Sequence, residues 1–257
     1  DGLWLNQRGY EVSYAAQAYE VTATRNSIHV FATANAIWNR AMTLGGVTFE
    51  IIYTAVAPDV IRVQIAHHRG GLKNKPQFDL NLPEGYVPDD IHEEDGFVSM
   101  TAGSTTVKIR KGTDGWDVSY LRNGKRITGG GWRSTSYIQE NKFHRDARLS
   151  VQTDDEFFNF PQDSRSAYVR EQLTLDVGEC VYGEKFTPFV KNGQTMDTLN
   201  SDGGTCSDQS YKCIPFYLTS NKYGILVNTA DKVSFEVASD TINKVSFTVP
   251  GEELDYF

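Results

Sequence analysis

No run of apolar residues in this sequence approaches the ~18 that a membrane-spanning helix requires, so a helical span is excluded and no membrane partner is expected. Cysteine is scarce, at three in 257 residues. Cys180, Cys206 and Cys213 fit no common zinc spacing, and an odd number cannot pair completely within one chain. An Asn-x-Ser/Thr acceptor is missing too. Both features lean towards a reducing, cytoplasmic compartment. Secretion stays open, because the sequence begins at Asp1 and a leader could have been removed.

Basic residues are outnumbered, 25 against 33 acids, for a net charge of −8. No run of five Lys/Arg offsets this, so a phosphate backbone would be repelled and nucleic acid is not expected as a partner. The catalytic signatures legible in a bare sequence are missing. There is no Gly-x-Ser-x-Gly elbow, no His-Glu-x-x-His helix and no Gly-Lys-Ser/Thr phosphate loop. Nor does any Asp or Glu stand in a recognisable acid/base context. No metal and no cofactor are expected. His67 and His68 would face opposite ways on a strand continuing from Ile61, so they could not share an ion. His29 reads as a cross-strand neighbour within Ile28–Phe31.

Period-two alternation dominates what is there. Ile61, Val63 and Ile65 alternate with Arg62 and Gln64. The same pattern runs through Val107–Arg110, Val233–Val237 and Val245–Val249. The runs are short and rich in β-branched and aromatic residues, as strands are. Asn123-Gly124, between Leu121-Arg122 and Lys125-Arg126-Ile127, is a strong hairpin signal. Asn221–Gly224 links two further runs in the same manner, and Gly129-Gly130-Gly131 reads as a loop. No stretch carries apolar residues at helical spacing with caps. The fold class predicted is all-β, an antiparallel β-sandwich of two sheets with more than ten strands and few or no helices. At 257 residues it is read as a single domain large enough to bury its core without disulfides.

Three segments lack the pattern: 67–95, 141–166 and Thr187–Asp208. Acids crowd Asp89–Asp95, which reads as a solvated loop. In the third segment, Asn200-Ser201-Asp202-Gly203-Gly204-Thr205 gathers a carboxylate, an amide and two hydroxyls around two glycines. Such a loop can meet sugar hydroxyls at close range. It can equally be a plain polar turn. Read as a calcium loop it places Thr198 and Gln209 at the end positions, where acids are needed, and that reading fails.

The segments Val177–Thr187, Asn192–Thr195, Asn200–Thr205 and Tyr211–Tyr217 resemble the N-terminal region of glycoside hydrolase family 31, most closely its α-xylosidase branch. Tyr223–Asn228, Val233–Val237, Asp1–Leu5 and Leu121–Thr128 extend the likeness over nearly the whole chain. The resemblance implies a galactose mutarotase-like sandwich preceding a (β/α)8 barrel that carries the two catalytic aspartates. It therefore implies no catalytic residue within 1–257. It further implies that a sandwich loop, around 187–208, reaches the barrel's pocket. Asp202 and Thr205 take the substrate-binding positions, and the partners are an oligosaccharide and the barrel of the same polypeptide. A homo-oligomer is compatible with this. The family's Tyr-Gly-Leu-Gly-Glu is two residues shorter here at Tyr182-Gly183-Glu184. Leu199 replaces a common tryptophan, and Cys213 a common asparagine. The competing reading is a stand-alone carbohydrate-binding or lectin-like module, with Trp4, Trp38, Trp116 and Trp132 as aromatics that could stack on sugars. A mutarotase-type isomerase would need a His and a Glu converging in one cleft, with His67 or His68 as candidate.

Overall fold

The computed structural model describes residues 10–69, 77–140, 167–183, 193–197, 214–239 and 241–257. Among them the chain forms nineteen strands and one short 3-10 turn at Arg40–Thr43. In chain order the strands are β1 (Tyr10–Tyr14), β2 (Gln17–Ala23), β3 (Ser27–Thr33), β4 (Thr48–Ala57), β5 (Val60–Ala66), β6 (Asp90–Glu94) and β7 (Phe97–Ala102). They continue as β8 (Thr105–Arg110), β9 (Val118–Arg122), β10 (Lys125–Gly130), β11 (Ser136–Glu140), β12 (Ala167–Thr174) and β13 (Val181–Gly183). The last are β14 (Gln194–Asp197), β15 (Phe216–Thr219), β16 (Gly224–Leu226), β17 (Ser234–Val237), β18 (Lys244–Pro250) and β19 (Glu253–Tyr256).

The all-β sandwich expectation holds. The strands form four antiparallel ladders rather than two: β1-β11-β12-β18-β17-β14, β19-β5-β4-β3-β2, β10-β9-β8-β7-β6 and β13-β15-β16. One apolar cluster draws on all four. Phe247 of β18 meets Tyr256 of β19 edge-on, centroids 5.0 Å apart, and so joins the six-stranded sheet to its facing sheet. Tyr217 of β15 meets Phe235 of β17 at 6.2 Å and joins the three-stranded sheet to the same core.

The alternations legible in the sequence are the buried faces of β5, β8, β17 and β18, although β17 and β18 bury residues on their other face too. Asn123 and Gly124 have φ of 50° and 78°, the positive pair that a tight hairpin needs to match strand twist. Three expectations are corrected. Gly129 and Gly130 belong to β10, because the backbone of Val118 lies too close for a side chain at Gly129. Within the acidic run, Asp90–Glu94 is edge strand β6, two of whose acids pair as Lys108–Glu94 and Lys111–Glu93. Charge on an edge discourages pairing with another chain. Within Thr187–Asp208, four residues form β14 against β17. The segment 141–166 lies outside the described residues.

β12 breaks the alternation altogether, since six of its eight residues are buried. On one face Arg170 donates to Glu236 at 2.9 Å and to Ser246 at 3.0 Å. On the other, Glu171 lies among Tyr53, Trp116, Tyr120 and Tyr256. It accepts bonds from Thr135 at 2.8 Å and from the Gln172 N–H at 3.1 Å. Burial disfavours its charged form more than these bonds favour it, and its pKa is pushed up to about 7.

Because that pKa lies above its value in the unfolded chain, the folded protein holds the proton more tightly. Stability linked to Glu171 is full below about pH 4.5 and is lost as pH rises through about 7. A tenfold difference in proton affinity between the folded and unfolded chain is worth about 1.4 kcal/mol. Stability measured by denaturant unfolding between pH 5 and 8 should therefore fall more in the natural protein than in Glu171→Gln, by about 2–3 kcal/mol. Parallel pH profiles would remove this role from Glu171.

Candidate functional site

The two residues singled out for sugar contact, Asp202 and Thr205, lie outside the described residues, as do Trp4, Leu199, Cys206 and Cys213. What the structure does describe is the frame on either side of them. Before them, β14 runs antiparallel to β17, with Asp197 opposite Ser234. After them the chain returns through Ile214-Pro215 into β15, where Phe216 lies opposite Leu226 of β16. The Pro215 carbonyl accepts the Val227 N–H at 2.9 Å.

The same edge holds the end of β19. Leu226 and Phe257 exchange backbone hydrogen bonds in both directions, at 2.9 and 3.0 Å. Val227 bridges Tyr256, and Asn228 N–H donates to the Asp255 carbonyl at 2.8 Å. The return of the 198–213 stretch and residue 257 are thus one strand apart.

Asp255 organises this corner. Alternation sends Leu254 and Tyr256 into the core, 2% and 3% exposed, and Asp255 to the other side. Its carboxylate receives two bonds from the Arg62 guanidinium, at 2.9 and 2.6 Å, a bidentate pair of the strong kind. Asn228 Nδ2 donates to it at 2.9 Å and Gln77 Nε2 at 3.3 Å. Asn228 Oδ1 in turn accepts the Phe78 N–H at 3.1 Å. The Asp255 bonds push the Arg62 pKa still higher, so the cation is permanent. Arg62 also lies 5.4 Å from the Phe257 ring centre. A polar cleft of about 70 Å³ opens here, lined in part by Gln64, Gln77, Thr229 and Glu253. The arrangement supplies rigid support and hydrogen-bonding groups.

The other candidates disperse. β5 ends at Ala66, so the strand does not run through His67 and His68. His67 Nδ1 lies 3.0 Å from the Thr48 carbonyl and its ring stacks on Tyr137 at 4.0 Å. That is a core-edge histidine, whose backbone N–H donates to the Glu252 carbonyl at 2.9 Å. Trp116 is buried and donates to Ser134 at 3.2 Å, whereas Trp38 and Trp132 are exposed. Among the described residues no group of three or more His, Cys, Asp or Glu could hold a metal ion. Cys180 carries a free thiol. Asp255 was missed in the sequence. Its only signal is a lone acid within Leu254-Asp255-Tyr256, whose partners lie from 27 to 193 residues away.

Asp255→Ala should remove the carboxylate partner of the half-buried Arg62 cation and of the Asn228 Nδ2 donor. Between the cost of breaking a buried pair and that of an exposed one, a loss of about 2 kcal/mol is expected in denaturant unfolding. Amide exchange at Phe78 and Asn228 should accelerate with it. Unchanged exchange would mean that the corner is held by its backbone bonds alone.

A family model, the glycosyl hydrolase 31 N-terminal galactose mutarotase-like domain, matches residues 50–236. The alpha-xylosidase XylQ of Lactiplantibacillus pentosus is 32% identical over 259 residues, covering 100% of this chain and 31% of its own length. An alpha-xylosidase of Emericella nidulans is 32% identical over 270 residues, covering 100% and 33%. The chain therefore spans about a third of these curated relatives. The cycloalternan-forming enzyme of Listeria monocytogenes shares the fold at a TM-score of 0.70 and 17% identity, over 96% of this chain and 21% of that one. Matched by the family model over most of its length and by relatives over all of it, the chain belongs to glycoside hydrolase family 31, whose N-terminal galactose mutarotase-like domain it forms.

Proposed function

We propose that this sandwich serves a retaining α-glycosidase that removes terminal α-xylosyl or α-glucosyl residues from oligosaccharides. In this reading residues 1–257 are one domain. Its 187–208 segment completes the substrate pocket of a (β/α)8 barrel that follows in the same polypeptide. Two carboxylates on the barrel, about 5–5.5 Å apart, would perform the double displacement. Asp202 would accept bonds from sugar hydroxyls, and Thr205 would add a further polar contact. The domain by itself would be inactive.

The observation that carries this reading is the shared edge. Phe216, where the 198–213 stretch returns, lies opposite Leu226, and Leu226 is bonded to Phe257. A domain continuing from residue 257 would start beside the base of the proposed pocket loop. The Asp255 hub keeps that base and that exit in one rigid corner, which favours accurate positioning of the loop. Whole-chain identity of 32% to two alpha-xylosidases supports the xyloside preference.

A buried charge-assisted bond is worth roughly 1.5–3 kcal/mol. Asp202→Ala in the full-length enzyme should therefore lower kcat/KM on an aryl α-xyloside roughly 10- to 150-fold. Kinetics equal to the natural enzyme would remove Asp202 from the pocket.

A further inference from the structure

We infer that the outer face of the β19-β5-β4-β3-β2 sheet carries a second carbohydrate site, a groove in which a neutral pyranose stacks on Phe31 between the carboxylates of Glu20 and Glu50. The groove has a volume of about 310 Å³, and its lining includes Glu20, His29, Phe31, Glu50 and Ile52. It is centred on β3, three strands from β19, and so stands apart from the Asp255 corner.

Register builds the arrangement. Glu20 lies opposite Phe31, and Phe31 lies opposite Glu50. One strand spacing on each side sets the two acids about 9–10 Å apart across the ring. A β-bulge between Ala18 and Glu20 helps, because it leaves both Tyr19 and Glu20 exposed where strict alternation would bury one. Bulges of this kind re-aim side chains and recur beside functional sites. The Phe31 side is open, with the ring residue 37% exposed. At one end Ser27 Oγ holds His29 Nε2 at 2.9 Å, which fixes a polar ring beside the platform.

The chemistry selects the ligand class. Two carboxylates separated by an aromatic ring cannot share a metal ion. Their charge repels phosphates and carboxylates. A purely apolar ligand would strip water from both acids without return. A pyranose has an apolar face for Phe31 and a rim of hydroxyl donors that both acids can accept. A small organic cation also suits an aromatic flanked by acids. However, Glu50 already pairs with Arg69 at 2.7 Å, which halves the net charge and brings a donor to the rim. That favours a neutral, hydroxyl-rich ligand.

The test is calorimetric titration of this chain with isomaltotriose, beside variants of known thermal stability. Saturable binding of about millimolar strength is expected for one small stacking site. Phe31→Ala should weaken it at least tenfold, and Glu20→Gln and Glu50→Gln about tenfold each. Asp202→Ala should leave it unchanged. If Phe31→Ala does not fold, Phe31→Leu and the two Gln variants carry the comparison. Absence of saturation, undiminished binding by these variants, or binding of choline in place of the sugar would overturn the groove. Binding lost through Asp202→Ala alone would likewise overturn it, while leaving the proposed pocket role of Asp202 intact.

Discussion

The alternation of one short strand holds this molecule together. In β19, Leu254 and Tyr256 turn into the core while Asp255 turns away from it. Tyr256 touches Phe247 of the facing sheet and lies 3.2 Å from the Tyr120 hydroxyl of a third. Asp255 gathers Arg62, Asn228 and Gln77 on the other side. A single residue of slip would exchange these roles, burying a carboxylate among tyrosines and exposing two apolar side chains. The apolar seam therefore fixes the register, and the register fixes where the ion pair and residue 257 lie.

The proposed function rests on that constraint. In that proposal, a loop serving a neighbouring domain is best held when its base is tied to the strand that carries residue 257. Here the strand to which the 198–213 stretch returns and the last residue are joined through β16. The support is polar and bidentate, and its partners come from distant parts of the sequence. Such corners are rigid because each donor has several reasons to stay in place.

Polar burial elsewhere has a different meaning. Arg170 and Glu236 neutralise each other on one face of β12, whereas Glu171 on the opposite face has hydroxyl and amide donors. The first pair can remain charged. The second group is balanced near pH 7 between its protonated and charged forms, because surrounding aromatics offer it little solvation. Neither arrangement touches the corner around Asp255. Both show that a central strand flanked by two layers cannot obey the simple inside-outside rule.

Local physics made much of the fold legible from the chain alone. Period-two apolar runs in β5, β8, β17 and β18 could be nothing else at that length, and Asn123-Gly124 accepts angles that few other pairs do. The family resemblance from Val177 to Phe257 was legible because several of its motifs keep their order and spacing. The strand identity of Asp90–Glu94 was hidden, since an exposed edge tolerates charge at every position. β14 was hidden because four residues are too few to show a period. The Asp255 hub and the Glu20–Phe31–Glu50 groove were decided only in three dimensions. Their members are separated by tens to hundreds of residues, and only strand pairing, which no local pattern encodes, sets them side by side.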